Sequence, residues 1–169
     1  VYGCTDSLFR GLGKFGVEAV FCDMGNVAAV EAALEAHPNV AMIFLESPEN
    51  PTLRIADIEA ISRLTEPRGI LLVVDNTFAT PVLQQPFTLG ADLVVHSVTK
   101  YLAGHSDLIQ GAVLARDPAV FEPVRFLQNA VGAVPAPLDC WLTLRGLKTL
   151  ELRVRRHTEN AARLAQALH

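Results

Sequence analysis

Ala91-Asp92-Leu93-Val94-Val95-His96-Ser97-Val98-Thr99-Lys100-Tyr101-Leu102-Ala103-Gly104 is the most informative segment of the chain. Leu93 to Val95 is short, apolar and β-branched, the pattern of a buried strand. The chain then turns polar, with hydroxyls at Ser97 and Thr99 and an amine at Lys100. Gly90 and Gly104 bracket the segment and permit close backbone approach. In an open α/β sheet, ligands bind just beyond the carboxyl ends of strands. A lysine after a strand is, taken alone, a solvated residue. A matching strand end upstream changes its standing: Ile70-Leu71-Leu72-Val73-Val74-Asp75 is apolar throughout and closes with a carboxylate. Two parallel strands ending in Asp75 and in Ser-x-Thr-Lys would gather one acid, two hydroxyls and one amine around a pocket.

That set of groups suits pyridoxal phosphate. The cofactor needs a lysine amine, here Lys100, for its Schiff base and a carboxylate, here Asp75, facing the pyridine nitrogen. The carboxylate keeps that nitrogen protonated, which makes the ring an electron sink. Ser97 and Thr99 offer hydroxyls and backbone N–H groups to the phosphate. The amine must react uncharged, and burial of Lys100 is expected to lower its proton affinity.

Composition narrows the alternatives. The 169 residues suffice for one domain with a sizeable core. Half are apolar and 19% are charged, so the chain is globular. A net charge of −4 leaves no basic footprint for nucleic acid. No apolar run approaches the roughly 20 residues of a membrane helix. Three cysteines without C-x-x-C argue against a disulfide framework or a zinc site and fit a reducing, cytoplasmic setting. His37, His96, His105, His157 and His169 lack metal-ligand spacing. His96 and His105 are expected to hydrogen-bond locally. No P-loop or G-x-S-x-G occurs, against an NTPase or a serine hydrolase.

Taken in order, Val1 to Thr5 reads as a turn-like entry and Ser7 to Phe15 as a helix. Gly11-Leu12-Gly13-Lys14-Phe15-Gly16 satisfies G-x-G-x-x-G, but a dinucleotide site needs a strand before it and a helix after it. Here the order is reversed, with a strand expected at Ala19 to Cys22, so the match is set aside and Gly16 is a helix end. A nicotinamide-dependent oxidoreductase using Gly11, Gly13 and Gly16 remains the rival from another class, beside a non-catalytic remnant. Asn26 caps a helix to Ala36. Ala41 to Leu45 is a buried strand, followed by the rigid loop Glu46-Ser47-Pro48-Glu49-Asn50-Pro51. Asn50 there is a pocket residue or a plain turn asparagine, with equal weight. Ile55 to Leu64 is a helix. Thr80-Pro81 makes an N-cap and first position for a crossover helix to Leu89, which frees Asp75. Gly111 to Ala115 is a strand and Pro118 to Ala130 a helix. Leu138 to Leu150 is expected as a core helix, with Cys22 and Cys140 in the core. From Glu151 a long amphipathic helix begins, with Leu152, Val154, Ala161, Leu164 and Leu168 facing one way and Arg153, Arg155 and Arg156 on a solvated face. Strands alternating with helices predict an α/β fold with a mainly parallel sheet covered by helices on both faces. Beginning at Val1 and ending inside a helix, the sequence is expected to be part of something longer.

Four motifs in order complete the picture: Tyr2-Gly3-Cys4-Thr5, Glu46-Ser47-Pro48-x-Asn50-Pro51, Val74-Asp75-Asn76-Thr77 and Ser97-Val98-Thr99-Lys100-Tyr101. With Arg125-Phe126-Leu127-Gln128-Asn129 and Arg145-Gly146-Leu147-Lys148-Thr149, they span essentially the whole chain. The sequence resembles the transsulfuration (Cys/Met metabolism) family of pyridoxal-phosphate enzymes, in the branch of cystathionine γ-lyases, γ-synthases and methionine γ-lyases. The resemblance implies the fold type I large domain, a seven-stranded-type sheet of which residues 1–150 are a part, with residues 151–169 leading toward a C-terminal domain. It implies that Lys100 carries the cofactor, Asp75 pairs with the ring nitrogen, Ser97 and Thr99 meet the phosphate, Tyr2 stacks on the ring and moves a proton, and Asn50 lies near the ring hydroxyl. Without the resemblance, Tyr2 reads as an ordinary buried aromatic. Cystathionine-specific members resemble Tyr-Gly-Gly-Thr-x-Arg here. This chain has Cys4 and Ser7, and Tyr-Gly-Cys-Thr is the methionine γ-lyase form, so Cys4 is expected beside the substrate. The implied activity is γ-elimination of methionine or cystathionine to 2-oxobutanoate, ammonia and a thiol, with γ-replacement as the alternative. The implied assembly is a homotetramer whose paired subunits complete each site.

Overall fold

The computed structural model describes residues 1–168, and a four-stranded sheet lies at their centre. Its strands, β1 (Met42–Glu46), β2 (Leu71–Asp75), β3 (Leu93–Ser97) and β4 (Gly111–Ala115), lie side by side in chain order. The first three run parallel and β4 returns antiparallel to β3. The predicted strand alternation is therefore present, with one reversed edge strand. Seven helices accompany the sheet: α1 (Gly3–Leu12), α2 (Val27–Ala36), α3 (Ile58–Thr65), α4 (Thr80–Leu83), α5 (Pro118–Val131), α6 (Pro137–Leu147) and α7 (Leu150–Leu168).

One sheet face makes the core. Ile43 and Leu45 of β1, Leu72 and Val74 of β2 and Val94 of β3 pack on Val30 and Leu34 of α2 and on Ile58 and Ile61 of α3. Each such side chain contributes about 1.5–3 kcal/mol on burial. β2 is buried on both faces, which is why its sequence is apolar without alternation. The caps are those expected of short polar residues: Asn26 accepts from the N–H groups of Ala28 and Ala29, and Asp57 from that of Ala60. On the other face, Phe9 of α1 meets Phe44 of β1 edge-on, with ring centroids 5.3 Å apart. Asp92, just before β3, accepts from the Leu72 N–H at 2.9 Å and pairs with Arg116 at 3.1 Å, which fixes where β3 begins.

Several expectations fail for physical reasons. Residues 19–22 form no strand, since no neighbouring strand accepts their backbone groups. The entry at Gly3 is already helical, so α1 starts four residues early. It ends in a tight turn at Gly13–Phe15 and a left-handed Gly16, φ 81°, as a helix end requires. The crossover before β3 is not one helix: α4 is a single turn, followed by a 3₁₀ turn at Pro86–Leu89, because Pro86 cannot continue the first. Thr80 is the first residue of α4, not its flanking cap, although its hydroxyl does accept from the Val82 N–H. Helix α6 is not a core helix: Leu138, Trp141 and Leu144 are mostly exposed, and only Gly146 is buried. Leu152, Leu164 and Leu168 of α7 are exposed as well. Cys22 and Cys140 are half-buried. His169 lies outside the described residues.

His96 of β3 is buried, and its Nδ1 has no hydrogen-bond partner, against the expected local bond. His105 does form one, Nδ1 to the Ala103 carbonyl at 2.7 Å. Burial pushes the His96 imidazole below its ordinary value, partly offset by attraction to the Asp75 carboxylate. A depressed histidine stabilises the fold above the unfolded value of about 6.5 and loses that contribution as pH falls through its folded value. The thermal midpoint should therefore drop on acidification below about pH 6.5, and His96→Gln should flatten that part of the profile. Leu45→Ala, at a side chain with 0% exposure, should cost about 2–5 kcal/mol in a denaturant titration.

Candidate active site

The parallel register ends β1 and β2 at one level and carries β3 two residues further, to Ser97. Glu46 is opposite Asp75, and Asp75 is opposite Val95. Side chains alternate along a strand, so Ser97, two residues past Val95, shares the Asp75 face. Their neighbours Val74, Asn76, Val94 and His96 are buried, whereas Asp75, Val95 and Ser97 are half-open. The predicted acid and the first predicted hydroxyl thus stand on the same open side of the sheet.

Thr77 joins them. Its N–H and its hydroxyl both donate to Asp75 Oδ1, at 3.0 and 2.5 Å, and its Oγ1 accepts from the Ser97 N–H at 2.8 Å. This holds the carboxylate plane and leaves Oδ2 without a protein donor among the described residues. Behind it, Gln84 donates to the Ser47 carbonyl and to Asn76 Oδ1, and Asn76 donates back to the Gln84 carbonyl. The loops after β1 and β2 are thereby braced together. Sequence reasoning missed Thr77 and Gln84. The signal for Thr77 was the local Asp-x-Thr turn, since aspartate carboxylates bond the backbone two residues on.

Lys100 lies in a turn after β3. Its N–H donates to the Ser97 carbonyl at 3.0 Å, Ala103 N–H to Val98 at 3.0 Å, and Gly104 N–H to the Lys100 carbonyl at 2.8 Å. The side chain is exposed, where burial was expected. No carboxylate among the described residues pairs with it. The Thr99 hydroxyl bonds both the N–H and the carbonyl of Gln110, at 3.0 and 3.2 Å. A cavity of about 430 Å³ adjoins Thr99 and Lys100, with Tyr101, Ser106, Arg153 and His157 on its wall. Asp75 and Ser97 do not line it.

The remaining candidates gather around the end of β1. Tyr2 immediately precedes α1 and is 49% exposed, so it is no buried aromatic; Cys4 is exposed in the first turn. A hydrogen bond and charge from Cys4 raise the Tyr2 phenol above its ordinary value, which keeps it protonated at neutral pH. Asn50 is half-buried in the loop after β1. Between them stands Glu46, buried and also unanticipated. Burial, then the Asp75 charge, raises its carboxyl, while the Val1 amine 3.9 Å away and the backbone N–H groups of Asn50 and Tyr2 oppose the shift. Tyr2 and Asn50 therefore approach Glu46, which is itself next to Asp75.

These groups fit a pyridinium ring bearing a phosphate: a half-buried carboxylate held in plane with one oxygen free, an amine with no acid partner, and Ser97 on the same face as the acid. One expectation is overturned outright. Arg153 is not on a solvated face; its guanidinium bonds the carbonyls of Tyr101, Leu102 and Gly146, because α7 packs across the turn that carries Lys100.

The family model described as Cys/Met metabolism PLP-dependent enzyme matches residues 1–169. A "Probable cystathionine gamma-synthase" of Herpetosiphon aurantiacus is 50% identical over 99% of this chain and 52% of its own length. The solved cystathionine gamma-lyase of Lactobacillus plantarum, complexed with L-serine, superposes with a TM-score of 0.96 at 46% identity, over 99% of this chain and 44% of that one. An apo methionine gamma lyase of Micromonospora echinospora gives 0.86 at 44% identity, over 89% and 41%. The chain spans about half the length of the curated relatives it matches, or less. With a full-length match to the family model and the motif-bearing strand ends at one edge of the sheet, the chain belongs to the Cys/Met metabolism family of pyridoxal-phosphate-dependent enzymes.

Proposed function

We propose that the protein is a carbon–sulfur lyase that carries out γ-elimination on a sulfur amino acid, with methionine preferred over cystathionine. The observation that carries the chemistry is the Asp75–Thr77–Ser97 linkage beside the Lys100 turn. Cys4 and Ser7, in place of the glycine and arginine of the cystathionine-specific pattern, support the substrate preference.

Lys100, Asp75, Ser97, Thr99, Tyr2 and Asn50 would hold pyridoxal phosphate, which when bound supplies an electron sink for carbanions at the substrate's α- and β-carbons. Lys100 is the base: its amine takes the α-proton and returns protons along the substrate chain. Asp75, held by Thr77 through Oδ1, would face the cofactor nitrogen with Oδ2. Tyr2, protonated at neutral pH, is the acid that delivers a proton as the thiolate departs. Water completes the balance, so that methionine yields methanethiol, 2-oxobutanoate and ammonia. The alternative, γ-replacement, keeps the same groups and ends with a thiol adding to the substrate; the synthase relatives favour it. The exposed apolar side chains of α6 and α7 support an assembly, and we read it as a homotetramer in which paired subunits complete each site.

Lys100→Ala should abolish turnover. Tyr2→Phe should lower kcat by about 10²–10⁴ while leaving a measurable residue, and full activity would remove its acid role. Methionine and cystathionine supplied in competition should yield mainly methanethiol. Mainly cysteine would reverse the substrate preference, and net cystathionine synthesis from cysteine and an activated homoserine would favour replacement.

A further inference from the structure

The turn after β3 ends like a short helix, and the last carbonyls of such a turn have no partner inside it. Lys100 O is taken by the Gly104 N–H, and Ala103 O by the His105 ring. Tyr101 O and Leu102 O remain, and both go to one side chain from far along the chain. Arg153 Nη1 donates to Tyr101 O at 2.8 Å and Nη2 to Leu102 O at 3.4 Å. Nη2 also donates to Gly146 O at 2.8 Å, and Nε to Thr149 Oγ1 at 3.0 Å.

The fit is close on every side. A Cβ at Gly104, whose φ is +80°, would meet the guanidinium at 2.1 Å. A Cβ at Gly146 would meet Ala103 O at 2.2 Å. Gly146 therefore lets α6 approach the backbone of the lysine turn, and Gly104 leaves room for the planar fork of Arg153. Arg153 forms no ion pair among the described residues, and it shares the wall of the 430 Å³ cavity with Lys100. Its neighbours behave as surface residues: Arg155 pairs with Glu151 and Arg156 with Glu159. A lysine ammonium has no planar fork with which to bridge three carbonyls and a hydroxyl.

We propose that Arg153 is a positioning residue for Lys100: it holds the Tyr101–Gly104 turn rigid against α6 and α7 and thereby sets where the reactive amine stands. The proposal rests on Lys100 being the cofactor lysine. Misplacement of a reacting group by about 1 Å can cost on the order of 100-fold in rate, so a loosened turn should register in kcat far more than in KM.

The test uses the protein with and without cofactor, in the variants Arg153→Lys, Thr149→Val, Arg155→Lys and Lys100→Ala. Two readouts do not pass through turnover. One is amide hydrogen exchange over residues 98–106 in the cofactor-free protein; the other is the pH midpoint of the visible absorption band of the loaded protein. In Arg153→Lys, exchange should accelerate by about threefold or more, the band midpoint should move, and kcat should fall about 10-fold or more with KM nearly unchanged. Arg155→Lys should change none of these. Arg153→Lys folded, with exchange and midpoint unaltered, would overturn the proposal. Should Arg153→Lys not fold, Thr149→Val decides: a smaller shift in the same direction supports the proposal, and none overturns it. A pyridoxyl group that borohydride still fixes to the Lys100→Ala chain in equal yield would overturn the cofactor assignment and this proposal with it. That failure is distinguishable, because the Arg153 variant would then still accelerate exchange.

Discussion

The register of three parallel strands constrains everything else in this chain. The register that sets Glu46, Asp75 and Val95 abreast follows from burying Leu45, Val74 and Val94 on the opposite face. A slip of one residue would bury Asp75 in the apolar layer and turn Val74 outward. The core thus aims the acid, and the same hydrophobic packing that stabilises the sheet assigns its polar residues to the open side. Asp92 at the opposite end of β3 reinforces the arrangement through the Leu72 N–H.

Electrostatically, the half-open Asp75 acts on two buried neighbours. Its charge disfavours ionisation of Glu46 on one side and favours protonation of His96 on the other. Burial raises the first group and lowers the second, so both tend toward the neutral form. Both shifts favour the uncharged form, which works against accumulating further charge around the Asp75 carboxylate.

Much of this was legible in the sequence, and the exceptions share a cause. β2 and β3 were readable because buried parallel strands are written as uninterrupted apolar runs. Asn26 was readable because a cap is a purely local bond. Residues 19–22 look the same as a strand on local grounds, but a strand exists only where a neighbour accepts its hydrogen bonds. Arg153 was misread for a related reason: a helical face is solvated or covered according to what packs on it, and its partners lie about fifty residues upstream. Glu46 reads locally as the start of a proline-rich loop, whereas it is the last residue of β1, where the register delivers it to Asp75. Helix α6, apolar by composition, promised a core position that the described residues leave uncovered.

The amide pair Asn76 and Gln84, with the Ser47 carbonyl, makes a buried polar brace between two loops that carry opposite sides of the site. Each group in it is both fixed and fixing, so neither loop can relax alone. The floor beneath Asp75 consequently behaves as one stiff plate, and with the turn under α7 pinned by Arg153 the opening needed to admit or release a ligand falls to the helix that begins beside Tyr2.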